Sequence, residues 1–212
     1  MEILDYLLHI DVYLQQMMES YPGWFYAILF LIIFMETGLV VLPFLPGDSL
    51  LFATGALAAS FPSELNIFIA LGLLLSAAIL GDTVNYSIGK YFGRQLTQAK
   101  LYGHRLIKDE HILKTEHFFE KYGAKTIVIA RFVPIVRTLA PFVAGFSSMH
   151  YSTFIRFNIL GGFLWVFGIT LIGYFLGNIP IVQKNFEYVV IGIILFSILP
   201  ILIEWIKARL KA

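Results

Sequence analysis

The chain has 212 residues, 58% of them hydrophobic and 14% charged, with a mean hydropathy of +0.80. A soluble domain carries roughly 25% charged residues, so this composition points to an integral membrane protein with no polar block left for a separate soluble domain. The absence of cysteine excludes disulfides, thiol catalysis, iron–sulfur clusters and cysteine-bound zinc. The net charge of +1 hides an asymmetry: residues 1–89 hold eight acids and no Lys or Arg, and all 15 bases lie from Lys90 onward. Those bases are spread over membrane-flanking segments and form no stripe, which argues against nucleic acid as a partner.

In residues 1–22, Leu4, Leu7, Leu8, Leu14, Met17 and Met18 recur at near-helical spacing, which predicts an amphipathic helix lying on the membrane. No basic leader and no small-residue cleavage site mark it as an ordinary signal peptide. A membrane domain is expected over 23–212. Trp24–Leu42 is apolar and about long enough to span. Pro43–Ser60 is apolar but interrupted, Ser60–Asn66 reads as a loop, and Ile67–Tyr91 is a second long apolar run. A polar segment over 93–123 comes next, ending in a helix from Glu110 to Tyr122 with Asp109 as its N-cap and Gly123 as its stop. Ile127–Met149 is a second interrupted stretch. Phe154–Leu176 and Tyr188–Ile206 are further spanning segments, separated by a turn at Asn178–Pro180.

The two interruptions are the most informative feature. The first is Leu42-Pro43-Phe44-Leu45-Pro46-Gly47-Asp48, the second Arg131-Phe132-Val133-Pro134-Ile135-Val136-Arg137. Proline breaks helical hydrogen bonds and charge is expensive in lipid, so such breaks survive only beside protein or a water-filled cavity. A matched pair of interrupted segments points to a transporter's substrate site. Lys and Arg in short loops place the 90–125 region and the C-terminal tail, with Lys207, Arg209 and Lys211, in the cytoplasm. Two spans already join them, so 127–149 must return to its own side or make two short passes, and its length and two prolines fit a re-entrant hairpin best. The same logic makes 43–60 a hairpin from the outer face and puts the N-terminus inside. The expected fold is an all-α integral membrane protein with about four spanning helices and two facing proline-broken re-entrant hairpins. A weak repeat, Ile88-Gly89-Lys90-Tyr91-Phe92-Gly93 against Ile172-Gly173-Tyr174-Phe175-Leu176-Gly177, makes it an inverted-repeat, transporter-like design. Gly89/Gly93 and Gly173/Gly177 are small-residue pairs that let helices approach closely.

The chemistry-bearing residues are few. Glu36 lies in a spanning segment, as a proton site or an arginine partner, or as a hydrated interfacial acid. Asp48 comes after Pro46-Gly47 and either caps the next helix or lines the cavity at a hairpin tip. Arg131 and Arg137 flank Pro134; their planar, permanently charged forks suit phosphate, with a structural salt bridge to Glu36 or Asp48 as the alternative. Asp82, Asn85 and Tyr86 share a helix face and form a candidate polar path or packing contacts. Asn158 and Trp165 share a face of the next helix; Trp165 reads as packing. His9, His104, His111, His117 and His150 form no ligand pair, so no metal site is expected. No Walker loop, dinucleotide fingerprint or Gly-x-Ser-x-Gly elbow occurs, so no cofactor and no enzymatic activity are expected.

Three stretches carry a resemblance: Glu36 through Leu51 with its Pro-Phe-Leu-Pro-Gly-Asp core, Gly81-Asp-Thr-Val-Asn-Tyr-Ser-Ile-Gly89, and Ala130-Arg-Phe-Val-Pro-Ile-Val-Arg-Thr-Leu-Ala-Pro-Phe-Val-Ala-Gly145, joined by Asn158 and Gly161–Trp165. Over roughly residues 20–177 the chain closely resembles the DedA family, within the wider VTT/SNARE-associated membrane proteins, and its founding branch in particular. The resemblance implies two facing re-entrant hairpins in the bacterial inner membrane. It implies movement of lipids between leaflets, notably undecaprenyl phosphate, with dependence on proton motive force. It places the family's functional acids on Glu36 and Asp48 and its arginines on Arg131 and Arg137. The expectation is therefore a lipid translocase with polyprenyl phosphate and protons as partners, as a monomer or a homo-oligomer. A proton-coupled ion or drug transporter using the same acids is the alternative.

Overall fold

A computed structural model describes residues 20–39, 47–98, 100–101, 104–105, 109–180 and 192. The N-terminal helix expected over 1–22, the tip of the first interruption and the span expected at Tyr188–Ile206 lie largely or wholly outside the described residues. Helix α1 covers Pro22–Gly38, α2 Gly47–Ser60 and α3 Ile67–Gln98. A two-residue antiparallel ladder pairs β1 (Lys100–Leu101) with β2 (His104–Arg105). Then come α4 (Asp109–Tyr122), a 3-10 turn at Gly123–Lys125, α5 (Thr126–Ala130), α6 (Pro134–Phe146) and α7 (Tyr151–Gly177).

Local chemistry fixes most boundaries. Asn66 caps α3: its Oδ1 accepts the N–H groups of Phe68 at 2.9 Å and Ile69 at 3.3 Å. Gly123 ends α4 in the left-handed conformation, φ +58°. Val133 is extended (φ −120°, ψ 105°), as the residue before a proline must be, and Pro134 opens α6, where its missing N–H costs nothing. The chain between α5 and α6 is a tight turn, with Phe132 N–H to Ile129 C=O at 3.2 Å and Val133 N–H to Ala130 C=O at 2.8 Å.

Several boundaries differ from the sequence-based expectation. Gly47–Ser60 is one unbroken helix, so no hairpin turns within 47–60. The apolar segment expected to span from Trp24 to Leu42 is helical only to Gly38. Helix α3 runs to Gln98 rather than Tyr91, because hydropathy marks where a helix leaves lipid and not where its hydrogen bonding stops. The small β ladder departs from a purely helical chain. Two of the described helices, Ile67–Thr97 and Tyr151–Gly177, are long and apolar enough to cross a bilayer. Phe68, Ile69, Leu80, Phe163, Leu164 and Phe175 on them are exposed, an apolar surface suited to lipid rather than water.

The described chain falls into two compact units. One holds α1 up to Leu29, α2, α3 up to Leu73 and α7 from Phe167; the other holds α1 from Phe30, α3 from Leu74, α4 to α6 and α7 up to Val166. In the first unit, Gly55 of α2 packs against the backbone of Thr170 and Tyr174, and Gly173 and Gly177 pack against Phe52 and Ala56. The Tyr26 hydroxyl accepts the Asn66 N–H at 2.9 Å, so α1 starts beside the start of α3.

The second unit repeats the glycine pattern. Gly145 of α6 packs against the backbone of Tyr86 and Lys90, while Gly89 and Gly93 of α3 pack against Phe142 and Phe146. Helix α6 therefore runs in the same direction as α3. Helix α7 runs oppositely: the Tyr86 ring stacks on Phe154 at 4.5 Å, and Gly162 faces Leu75 and Ile79. Tyr86, Ile127, Ala130, Val136, Ala140, Ala144 and Phe154 form the core between them, roofed by Phe118 and Phe119 of α4. The glycines recognised as small-residue pairs in the sequence are the contact points of both units.

A Cβ on Gly55 would lie 1.9 Å from the Thr170 oxygen, and one on Gly145 2.0 Å from the Tyr86 oxygen, whereas Gly168 has open space. Gly55→Ala and Gly145→Ala should each cost about 1–3 kcal/mol through forced helix separation. Thermal unfolding in detergent should show a lower Tm for both and an unchanged Tm for Gly168→Ala.

Candidate functional site

Polar and charged side chains of the second unit converge in an apolar surround. Helix α1 brings Glu36 and Thr37, α3 brings Asp82 and Asn85, the α5–α6 turn brings Arg131, α6 brings Arg137 and Thr138, and α7 adds Asn158 and Trp165. Glu36, Asp82, Asn85, Arg131, Thr138 and Asn158 are each at most 5% exposed. Arg131 Nη2 donates to Asp82 Oδ2 and to Asn158 Oδ1, both at 2.5 Å. Asn158 is itself fixed, its Nδ2 donating to the Ile79 carbonyl at 3.1 Å. Arg137 Nη2 donates to Glu36 Oε1. The Trp165 ring centre is 5.6 Å from Arg131 Cζ and 5.8 Å from Arg137 Cζ, close enough for cation–π attraction to both.

The helix breaks put these groups in place. Because the turn at Arg131–Val133 interrupts α5 and α6, Arg131 leaves the end of a short helix instead of a helix flank. Gly161 makes room for it: a Cβ there would sit 3.1 Å from Arg131 Nε. Within α6, Pro141 lacks the N–H that would bond the Arg137 carbonyl. Asn85 ties α1 to α6 beside this break: its Nδ2 donates to the Thr37 carbonyl at 3.0 Å, in the last turn of α1, and to the Thr138 carbonyl at 2.9 Å, one residue from the carbonyl that Pro141 frees. Helices α1 and α3 meet closely, since a Cβ on Gly81 would lie 1.9 Å from Thr37 Oγ1.

Glu36, Arg131 and Arg137, read from the sequence as charged candidates, stand together. Asp82, read as part of a polar path or as packing, is the carboxylate that Arg131 holds, and Asn158 is its second acceptor. Tyr86 lies one turn beyond Asp82 with its hydroxyl donating to the Met149 carbonyl. Asp48 stands in the other unit, exposed in the first turn of α2, where its charge suits the helix dipole. Thr37, Gly81, Thr138 and Gly161 lie in the stretches that carry the family resemblance, but their place in the site is not legible there, nor is the contact of Trp165 with both arginines. The one available signal was the seven-residue spacing of Asn158 and Trp165 on a common face.

The cavity enclosed by Glu36, Thr37, Asp82, Arg131, Arg137, Thr138 and Trp165 measures about 10 Å³, the space a single water needs. Two guanidinium groups and two carboxylates fill the rest and balance in charge. Among the described residues, no group of His, Cys, Asp and Glu is arranged to hold a metal ion.

Removing one partner of a buried pair strands the other charge at a cost of about 3–5 kcal/mol. Asp82→Ala should therefore lower the Tm strongly in detergent. The double change Asp82→Leu with Arg131→Met, which removes both charges, should recover most of the loss. A double variant as unstable as the single one would show that the pair is not the stabilising unit.

The VTT domain family matches residues 45–175. The chain is similar to Protein DedA of Escherichia coli K12, with 51% identity covering 99% of this chain and 95% of that protein. It is also similar to the uncharacterized membrane protein Rv0364 of Mycobacterium tuberculosis H37Rv, 43% identical over 82% of this chain and 75% of that protein. Inner membrane protein YqjA of Escherichia coli K12 is 37% identical over 78% of this chain and 73% of that protein. No solved structure matches. Together with the apolar helices described above, these similarities show that the chain is a membrane protein belonging to the DedA family of VTT-domain proteins.

Proposed function

We propose that this protein is a lipid translocase. In this reading it moves undecaprenyl phosphate or a related anionic lipid between leaflets of the bacterial inner membrane, coupled to proton motive force. The observation that carries the reading is a pair of arginines, Arg131 buried and Arg137 part-buried, each closed by a carboxylate of the chain itself, beside a space of about one water. A charged headgroup cannot cross hydrocarbon unaided, so its path needs fixed cations and a polar lining. Arg131 and Arg137 supply donor forks matched to phosphate oxygens. Glu36 and Asp82 hold those forks when no lipid is present, and protonation of Glu36 frees Arg137. The headgroup then takes the place of a carboxylate while the prenyl tail stays in lipid. Asp48, at the start of α2, is the acid we assign to proton delivery.

The topology that suits this role has α5 and α6 as the two arms of a re-entrant hairpin from the cytoplasmic side. Support comes from α6 running alongside α3 to the level of Gly93, just beyond Lys90, where the basic segment begins. The other hairpin, expected over 43–60, has α2 as its outward arm, and the Tyr26–Asn66 contact sets the start of α1 beside the start of α3. This pairing puts the start of α1 on the outer side, in place of the inside N-terminus that a full span over Trp24–Leu42 would require. The C-terminus is cytoplasmic.

Leaflet exchange of undecaprenyl phosphate in proteoliposomes tests the reading. Wild type should accelerate exchange, more so with a pH gradient, and Arg137→Ala should abolish it in folded protein. Glu36→Gln, a mimic of the protonated acid, should retain exchange and lose its response to the gradient. Proton-driven ion or drug flux with no lipid exchange would replace this reading with that of an ion or drug transporter.

A further inference from the structure

Helix α3 carries Asp82, Tyr86 and Lys90 at four-residue intervals, one stripe along its length. Asp82 belongs to the buried ion pairs; Lys90 lies about 12 Å farther along, at roughly 1.5 Å per residue. Around Lys90 the second unit holds a groove of about 340 Å³, lined by Tyr86, Lys90 and the connection from α6 to α7, including Ser148, His150 and Ser152. None of the described lining side chains is acidic.

The connection is held by its own backbone hydrogen bonds. Ser148 holds the left-handed conformation at φ +58°. Its N–H bonds the Gly145 carbonyl at 3.2 Å and the Met149 N–H bonds the Ala144 carbonyl at 3.0 Å, so the end of α6 is closed by backbone alone. At the start of α7, the Thr153 and Phe154 N–H groups both bond the His150 carbonyl at 3.0 Å, while those of Tyr151 and Ser152 have no acceptor among the described residues. An ammonium, an imidazole, two serine hydroxyls and a helix N-terminus thus border one groove. Tyr86, which also lines the groove, is buried, tied to Met149, and one helical turn from Asp82.

We infer that this groove is a second anion site, which takes a phosphate monoester and is separate from the buried arginine pair. Lys90 supplies the charge, the first turn of α7 the backbone donors, and the serine hydroxyls and His150 the remaining hydrogen bonds. A terminal phosphate offers three oxygens to this donor set, and the groove has room for it. The monoester is either a soluble phosphate or the headgroup of a lipid; only the lipid source rests on the proposed transport function.

The test uses the full chain in phosphatidylcholine nanodiscs and measures equilibrium binding of dodecyl phosphate and of inorganic phosphate. The Arg137→Ala background removes the buried site from the measurement. Saturable binding should persist there and weaken at least about tenfold in Lys90→Gln, the loss of one charge-assisted hydrogen bond. Ser152→Asp, whose carboxylate suits a helix N-terminus and so preserves the fold, should weaken it as much. Lys90→Arg should keep it. Preference for dodecyl phosphate assigns a lipid headgroup, and equal affinity for inorganic phosphate assigns a soluble ion. No saturable binding in Arg137→Ala, or affinities within twofold in Lys90→Gln and Ser152→Asp, would overturn the inference. Binding intact while the wild-type protein exchanges no lipid would keep this site and sink the transport reading.

Discussion

Two guanidinium groups held among apolar helices are the constraint on which the rest of this unit depends. Neither could stand unpaired at that depth, where an uncompensated charge costs several kcal/mol even after relaxation. Each is therefore met by a carboxylate from a different helix, Arg131 by Asp82 of α3 and Arg137 by Glu36 of α1. Reaching both acids from one short stretch of chain demands that the stretch not be a continuous helix. The break at Arg131–Val133 and the start of α6 at Pro134 meet that demand, and Asn158, Gly161 and Trp165 on α7 hold Arg131 where the break leaves it.

Breaking helices inside an apolar unit creates a second problem, because freed carbonyls need donors that lipid cannot supply. Asn85 meets it in part, its side-chain amide serving the Thr37 carbonyl in the last turn of α1 and the Thr138 carbonyl beside the break at Pro141. The same residue thereby ties α1 to α6 at the level of the charges. Its burial is a structural requirement of the broken architecture, and its place one turn from Asp82 explains why polar residues cluster on that face of α3. Glycine does the complementary work at the helix seams: Gly81, Gly89 and Gly145 bring backbones close enough for side chains as short as Asn85 and Thr37 to reach across.

Composition and local chemistry are the parts of this structure that the sequence makes legible. Proline and charge inside apolar stretches mark the breaks, the Gly89/Gly93 and Gly173/Gly177 pairs mark the helix contacts, and Gly123 marks a helix end. Glu36, Arg131 and Arg137 stand out because charge is costly in lipid. Pairing stays hidden. Nothing local distinguishes Asp82 from Asp48 as a partner for Arg131, since that choice depends on which helix lies across from the turn. Trp165 reads as packing for the same reason: an aromatic on an apolar helix shows its cation–π role only when both arginines are placed. The end of α3 escapes a hydropathy reading because the apolar run stops at Tyr91 while helix-forming residues continue to Gln98.

Charge balance limits what the arginine site can admit. With two guanidinium groups and two carboxylates it is neutral and nearly full, its cavity of about 10 Å³ matching one water. An anion entering beside both carboxylates would add an uncompensated charge to an apolar unit. An anion that replaces one carboxylate leaves the balance unchanged, provided the displaced acid takes up a proton. In the proposed function, proton uptake and headgroup binding are thus a single exchange rather than two events coupled at a distance. Glu36 is the group suited to it, because its partner Arg137 is more exposed than the buried Arg131. Asp82, clamped against Arg131 beside Asn158, is then the fixed half of the site, and the pair on α1 and α6 is the half that opens.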